Sequence, residues 1–505
     1  MNAPPVHTTH SDSLVAVRNA MKLGMSLLGT WAVALGIKLV LPRYLGPTDF
    51  GVVNFAENFA AAWFVLTGFG IDTYVRKEIP VRLEHANEFF GSVYLLRLVA
   101  SAALLAVIAG VLIATGRDGV VLRTVLCFAL GQVFFTSNNT YAAILHASGH
   151  VNGVAILNVV AKLVWGAGIV LGFLFGRHLE VVGIAFAAAE GVKAGALAYL
   201  TRRHVALPLV WNPLALKTVM KASLPFFLVA LSGTLSNRID VTIIEFLANK
   251  TEVGWYGAAT NVAGLALLLT PLIGWVLLPL SSRAASRGEE ELLIVTRRSI
   301  ELILSIAFPV SLMLMLGADV VVALLFGDAY LPAIPALRTL SGMFVLTYLA
   351  MVATTTLVRL ERSWYVTVVT LGGVVLQIAL NIVLIPIVGP KIGDGGAGLA
   401  SALSVITSEV VITVALLAAL GNKAFDKRSI SRLARTALVV GAVIAIDRAL
   451  VPEVLALGWD VRLAGALRVA IDAMSYAVLV VLTGALDLGE LIGFIRQAIA
   501  QKRGT

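Results

Sequence analysis

Continuous apolar runs of helix length constrain this chain more than any other feature. A helix crossing the hydrocarbon core of a bilayer needs about 20 mostly apolar residues. Such runs occur near residues 22–41, 52–71, 91–114, 120–145, 151–175 and 181–200. They resume near 221–247, 253–280, 299–326, 334–358, 364–388, 396–420, 436–451 and 463–486. The composition excludes a soluble globule, because 59% of residues are hydrophobic and 13% charged, about half the charge of an average soluble chain. A transmembrane barrel would show short alternating stretches instead. The expectation is an all-α polytopic membrane protein with about 14 transmembrane helices.

The formal charge of +9 reads as topology and not as a nucleic-acid footprint. Clusters such as Arg76, Lys77, Arg82; Arg202, Arg203, Lys217, Lys221; Arg283, Arg287, Arg297, Arg298; and Lys423, Lys427, Arg428, Arg432, Arg435 fall on one side of the bilayer. By the positive-inside bias that side is the cytoplasm, and both termini are expected there. Arg117, Lys250, Arg448, Arg462 and Arg468 are among the fewer basic residues assigned to the outer side. The polar segment Met1–Ser13 lacks the pattern of a cleavable signal peptide. One cysteine, Cys127, offers no disulfide framework.

Shifted by 203 positions, RYLGPTDFGVVNFAENFA (43–60) aligns with FLANKTEVGWYGAATNVA (246–263), pairing Gly51 with Gly254 and Asn58 with Asn261. The match falls at the outer turn between the first two helices of each half. Helices 1 and 7 start on the same side, so the repeats run parallel, an arrangement that places a substrate path between two lobes. The expected organisation is a cytoplasmic tail over 1–20, a six-helix lobe over 21–205, and a linker over 206–220. A second six-helix lobe follows over 221–420, then helices 13 and 14 with a tail over 421–505.

The segment YLGPTDFGVVNFA (44–56) resembles the first outer turn of Wzx-type polysaccharide flippases, members of the multidrug/oligosaccharidyl-lipid/polysaccharide (MOP) exporter superfamily. EVGWYGAATNV (252–262), LFGDAYLPAIPALRTLS (325–341), and NIVLIPIVG with GAGLASALS (381–404) resemble the same family. The resemblance implies a transporter, not an enzyme, in a bacterial inner membrane. It implies a polyprenyl-diphosphate-linked glycan as cargo, carried to the outer leaflet for surface polysaccharide, with a polymerase and export machinery as partners. A lipid II flippase and a drug/cation antiporter are alternatives within the superfamily. A membrane glycan polymerase or ligase is the alternative of another class, but the longest outer connection, about 451–462, is too short for its usual catalytic loop. No cofactor is expected beyond coupling H⁺ or Na⁺, and no metal.

A charge at membrane depth costs about 2.5–3.5 kcal/mol on insertion scales, which makes each one a functional candidate. Helix 7 carries Asn237, Arg238, Asp240 and Glu245. A guanidinium at Arg238 suits bidentate binding of a diphosphate. Helix 2 carries Asn54, Glu57 and Asn58 on one face, with Asn261 as the repeat partner of Asn58. Gln132, Thr136 and Asn139 on helix 4, and Asn158, Lys162 and Trp165 on helix 5, form polar stripes. Arg97, Lys162 and Lys193 complete the cavity candidates, and Lys38 and Arg43 suit an outer release site. Glu57, Asp240 and Glu245 are the ion-coupling candidates. For each of these residues, helix packing or internal pairing is the competing role.

Other motifs read as structure. Gly393–Gly398 matches a dinucleotide-binding string but follows a membrane helix and not a strand, so it is a turn. Gly168, Gly172 and Gly176 recur every four residues, as close helix packing requires. Thr48 and Thr251 are expected N-caps, and Pro225, Pro271 and Pro309 are expected kinks within spans.

Overall fold

A computed structural model describes residues 29–72, 85–176, 178–204, 211–267, 270–421, 427–456 and 461–484. Every regular element among them is helical. The tails at 1–20 and 485–505 lie outside the described residues, as does 206–210 of the expected linker.

Helix α1 covers residues 29–45. It is followed by α2 (Pro47–Gly68), α3 (His85–Ala114), α4 (Gly119–Ala147), α5 (Val151–Leu174), α6 (Glu180–His204) and α7 (Pro213–Leu247). The second half comprises α8 (Lys250–Ala266), α9 (Thr270–Ala285), α10 (Glu289–Leu316), α11 (Ala318–Leu325), a 3-10 turn (Asp328–Ala333) and α12 (Ile334–Leu340). It ends with α13 (Met343–Arg359), α14 (Ser363–Ile392), α15 (Gly396–Leu420), α16 (Lys427–Ala456) and α17 (Val461–Leu482). Among the described residues, eleven helical runs are long and apolar enough to cross a membrane. The other three expected crossings fall short. The first and the eighth lie partly outside the described residues, and the thirteenth carries Arg435, Asp447 and Arg448.

Several local expectations are corrected. Gly46 precedes α2 without a side-chain cap and Pro47 occupies its first turn, where a missing N–H costs nothing. Asn249, not Thr251, caps α8, its side chain accepting from the Glu252 amide at 3.0 Å. Pro225 and Pro309 lie inside α7 and α10 as expected; residues 268–269, which lead into the expected kink at Pro271, lie outside the described residues.

The chain divides into two compact units, Met1–Glu245 and Phe246–Thr505. Small residues let the helices of the first unit approach closely. A side chain at Gly172 would run into Val181, one at Gly168 into Ala185, and one at Gly183 into Cys127. Helix α2 ends at Phe69 and Gly70, both with left-handed backbone (φ 47° and 67°). Gly70 is required there, because any Cβ would collide with the backbone of α7 at Ser223–Phe227, around Pro225. The start of α7 packs on α3 and α4 through Leu216 and Val219 against Phe90, Val93 and Ile144. That packing groups α7 with the first unit, although the sequence reading begins the second lobe at residue 221.

In the second unit, Leu277, Ile300, Phe344 and Tyr348 form one core cluster. The hairpin of α16 and α17 seats Val439, Val443, Tyr476 and Val480 on Leu312 and Leu316 of α10. The glycine string has a structural task. Glu252 accepts from the amides of Gly395 (2.7 Å) and Gly398 (3.1 Å) at the start of α15. A helix N-terminus favours an anion, and here the chain supplies its own. Glu252→Ala leaves those buried amides without an acceptor and is expected to destabilise the protein by about 1–3 kcal/mol. Glu252→Gln, which retains one acceptor, should lose less; thermal unfolding in detergent reads the difference.

Candidate translocation site

Five helices of the first unit bring intramembrane charges together. Glu57 of α2 lies within electrostatic reach of Lys38 (α1), Lys162 (α5) and Arg238 (α7). Lys162 in turn senses Glu190 and Lys193 of α6 as well as Glu57 and Lys38. Lys193 Nζ is 3.6 Å from Glu190 Oε2. Glu190 is buried and held from α4, where Asn138 Nδ2 donates to its Oε2 at 2.8 Å and to its backbone carbonyl at 3.0 Å. The Lys162 ammonium stands 4.8 Å from the centre of the Trp165 ring and 5.9 Å from that of Phe186. Such ring faces attract a cation and leave Lys162 dependent on the carboxylates for full charge compensation.

The α2 stripe continues this group. Arg238 Nη1 donates to Asn58 Oδ1 at 3.0 Å, and Asn58 Nδ2 donates to Asn54 Oδ1 at 2.9 Å and to the Asn54 carbonyl at 2.8 Å. Among the described residues, the neutral amide of Asn58 is the one direct acceptor of Arg238, and it takes a single N–H of the guanidinium. Asp240, two residues on, is buried at 4% exposure. Arg43 is exposed at the end of α1. Asn261 is half-buried on α8 in the second unit.

Two candidates prove to be engaged elsewhere. Arg97 is 2% exposed. Its Nε donates to the Thr67 carbonyl (3.2 Å), Nη2 to the Gly68 carbonyl (2.7 Å), and Nη1 to Asp72 (2.8 Å) and to the Thr140 hydroxyl. These are the orphan carbonyls at the C-terminal end of α2, so Arg97 caps one helix from another. Glu245 is clamped by Arg117, whose Nη1 meets Oε1 at 2.8 Å while Nη2 meets the Glu245 carbonyl at 3.2 Å. Asn138 was missed by reading Asn139 as the working amide of α4. Burial separates the two, Asn138 being 1% exposed.

A family model described as "Polysaccharide biosynthesis protein" matches residues 16–285, which includes the whole charged cluster. The chain belongs to the polysaccharide biosynthesis protein family. No curated protein matches its sequence. Among solved structures, an inward-facing multidrug resistance MATE family transporter of the MOP superfamily is similar, with a TM-score of 0.63 and 18% identity, over 78% of this chain and 95% of that one. The lipid II flippase MurJ in an inward closed conformation is similar with a TM-score of 0.62 and 13% identity, over 88% and 98%. A MOP superfamily transporter from Pyrococcus furiosus, described as having a binding pocket of reverse polarity, matches with a TM-score of 0.50 and 18% identity, over 81% and 96%. At these identities the likeness shows the fold alone.

Proposed function

We propose that this member of the family carries a polyprenyl-diphosphate-linked oligosaccharide from the cytoplasmic to the outer leaflet of a bacterial inner membrane, for surface polysaccharide synthesis. The supporting observation is the sign of the cluster: Lys38, Lys162, Lys193 and Arg238 outnumber Glu57 and Glu190. An excess of cations fits a diphosphate of charge about −2, and repels the lipophilic cations that a drug antiporter would need to hold. Transport makes no covalent bond. The barrier is the passage of phosphates and sugars through hydrocarbon, and a polar, cationic path lowers it while the lipid tail stays in the bilayer.

In this reading the path opens alternately to each side of the membrane, with both chain termini in the cytoplasm. Moving the anion outward across an inside-negative membrane releases about 2.3 kcal/mol per charge per 100 mV, or roughly 4–5 kcal/mol for a diphosphate at that potential. A coupling H⁺ or Na⁺ would use Glu57 or Asp240, since Glu245 is committed to Arg117. The family match supports polysaccharide over peptidoglycan precursors, and a polymerase with export machinery would take the delivered unit.

The test is reconstitution of the full chain in vesicles loaded with a polyprenyl-diphosphate glycan, read by access of an external lectin. Faster exposure of that glycan than of lipid II, with no extrusion of a cationic dye, is the expected result. Dye extrusion without glycan movement would overturn the reading.

A further inference from the structure

A second charged group lies in the other unit, where the α16–α17 hairpin meets α10–α12, and neither the family match nor the cargo reading uses it. Arg468 of α17 is 7% exposed, although the sequence assigns it to the outer side with the topology charges. Its Nη2 donates to Asp319 of α11 at 2.7 and 2.9 Å and to the Leu316 carbonyl at the end of α10 at 2.9 Å. Its Nε stands 3.3 Å from Asp447 Oδ1 of α16, without hydrogen-bond alignment. Arg338 of α12 approaches Asp319 at 3.9 Å and is half exposed.

Asp472, one turn beyond Arg468 on α17, is 0% exposed. Neither of its carboxyl oxygens receives a hydrogen bond from an N–H or hydroxyl donor among the described residues. The charged groups facing it are Asp447 and Arg468. Arg448 is exposed on α16, and Glu301, the charged side chain of α10 on the hairpin side, is held 2.9 Å from Arg432 about four turns away. If all were ionised, three buried or half-buried aspartates would face two arginines, one of them distant. A buried carboxylate with no donor and another carboxylate beside it is not sustained in an apolar setting.

We propose that Asp447 and Asp472 form a proton-binding site, in which one proton lies between the two carboxyl groups and Arg468 balances the remaining charge. Asp472 is then the donor O–H that the group otherwise lacks. The site is separate from the cationic cluster and does not depend on the identity of the cargo.

Infrared spectroscopy of the purified full chain tests this without a variant: a buried, protonated carboxyl C=O band should be present at neutral pH. Asp472→Asn should remove it. Asp447→Asn should also remove it, because Arg468 is then released to an ionised Asp472. Absence of the band in the wild type would overturn the proposal, as would stabilisation of the wild type by sodium over choline that disappears in Asp472→Asn. The latter would mean that a sodium ion, not a proton, balances the charge. If Asp472→Asn fails to fold, Asp472→Glu takes its place and should shift the band; an unshifted band would overturn the proposal.

Discussion

Replacing Arg238 with alanine is expected to cut glycan export roughly 10- to 100-fold while the protein stays at its normal level in the membrane. The magnitude follows from hydrogen bonds to a charged group, worth about 1.5–3 kcal/mol, at one decade per 1.4 kcal/mol. Abundance is preserved because the only direct partner of Arg238 described is the neutral amide of Asn58, and that amide keeps its own bonds to Asn54. Arg238→Lys retains the charge but loses the fork, so it should fall between alanine and wild type. Glu57→Gln changes the cluster in the opposite sense, adding to its net positive charge, and should not weaken the hold on a diphosphate. Surface glycan, the accumulated lipid-linked precursor and an immunoblot are measured together. Unchanged export in Arg238→Ala would remove this residue from the path.

The features legible in the sequence are those the bilayer enforces locally. An apolar run of span length must form a helix when no water is available to the backbone, so the helical class could be read directly. Gly168 and Gly172 were readable for the same reason, since a four-residue spacing puts them on one face, and the structure sets that face against Ala185 and Val181.

Partnerships between charges were not legible, because they join residues far apart in the chain. Arg97 and Lys162 look alike as single cations within apolar runs. One is saturated by the end of α2 and Asp72, whereas the other reaches the cluster around Glu57. Glu245 and Arg117 are 128 positions apart, and Arg468 and Asp319 are 149 apart. A tally of basic residues by side of the membrane registers Arg117 and Arg468 as orientation signals and cannot register that each neutralises a buried acid. The number of charges at depth could be counted from the sequence; which of them remain available to a cargo could not.

That distinction yields the opposite phenotype at Arg97. Arg97→Ala is expected to destabilise the first unit by about 3–5 kcal/mol, the cost of removing one partner of a buried ion pair. Three kinds of acceptor lose their donor together: the Asp72 carboxylate, the Thr67 and Gly68 carbonyls, and the Thr140 hydroxyl. The two carbonyls belong to the end of α2, so the damage falls where Phe69 and Gly70 turn the chain against α7. Loss of export in this variant should therefore come with loss of protein from the membrane fraction, whereas in Arg238→Ala the two separate. Lysine cannot rescue it, since a single ammonium does not span acceptors reached by three guanidinium nitrogens. The double variant Arg97→Leu with Asp72→Ala should recover part of the stability, because it also removes the carboxylate left without a partner. Normal abundance of Arg97→Ala with export abolished would instead place Arg97 in the cargo path and overturn its role as a cap.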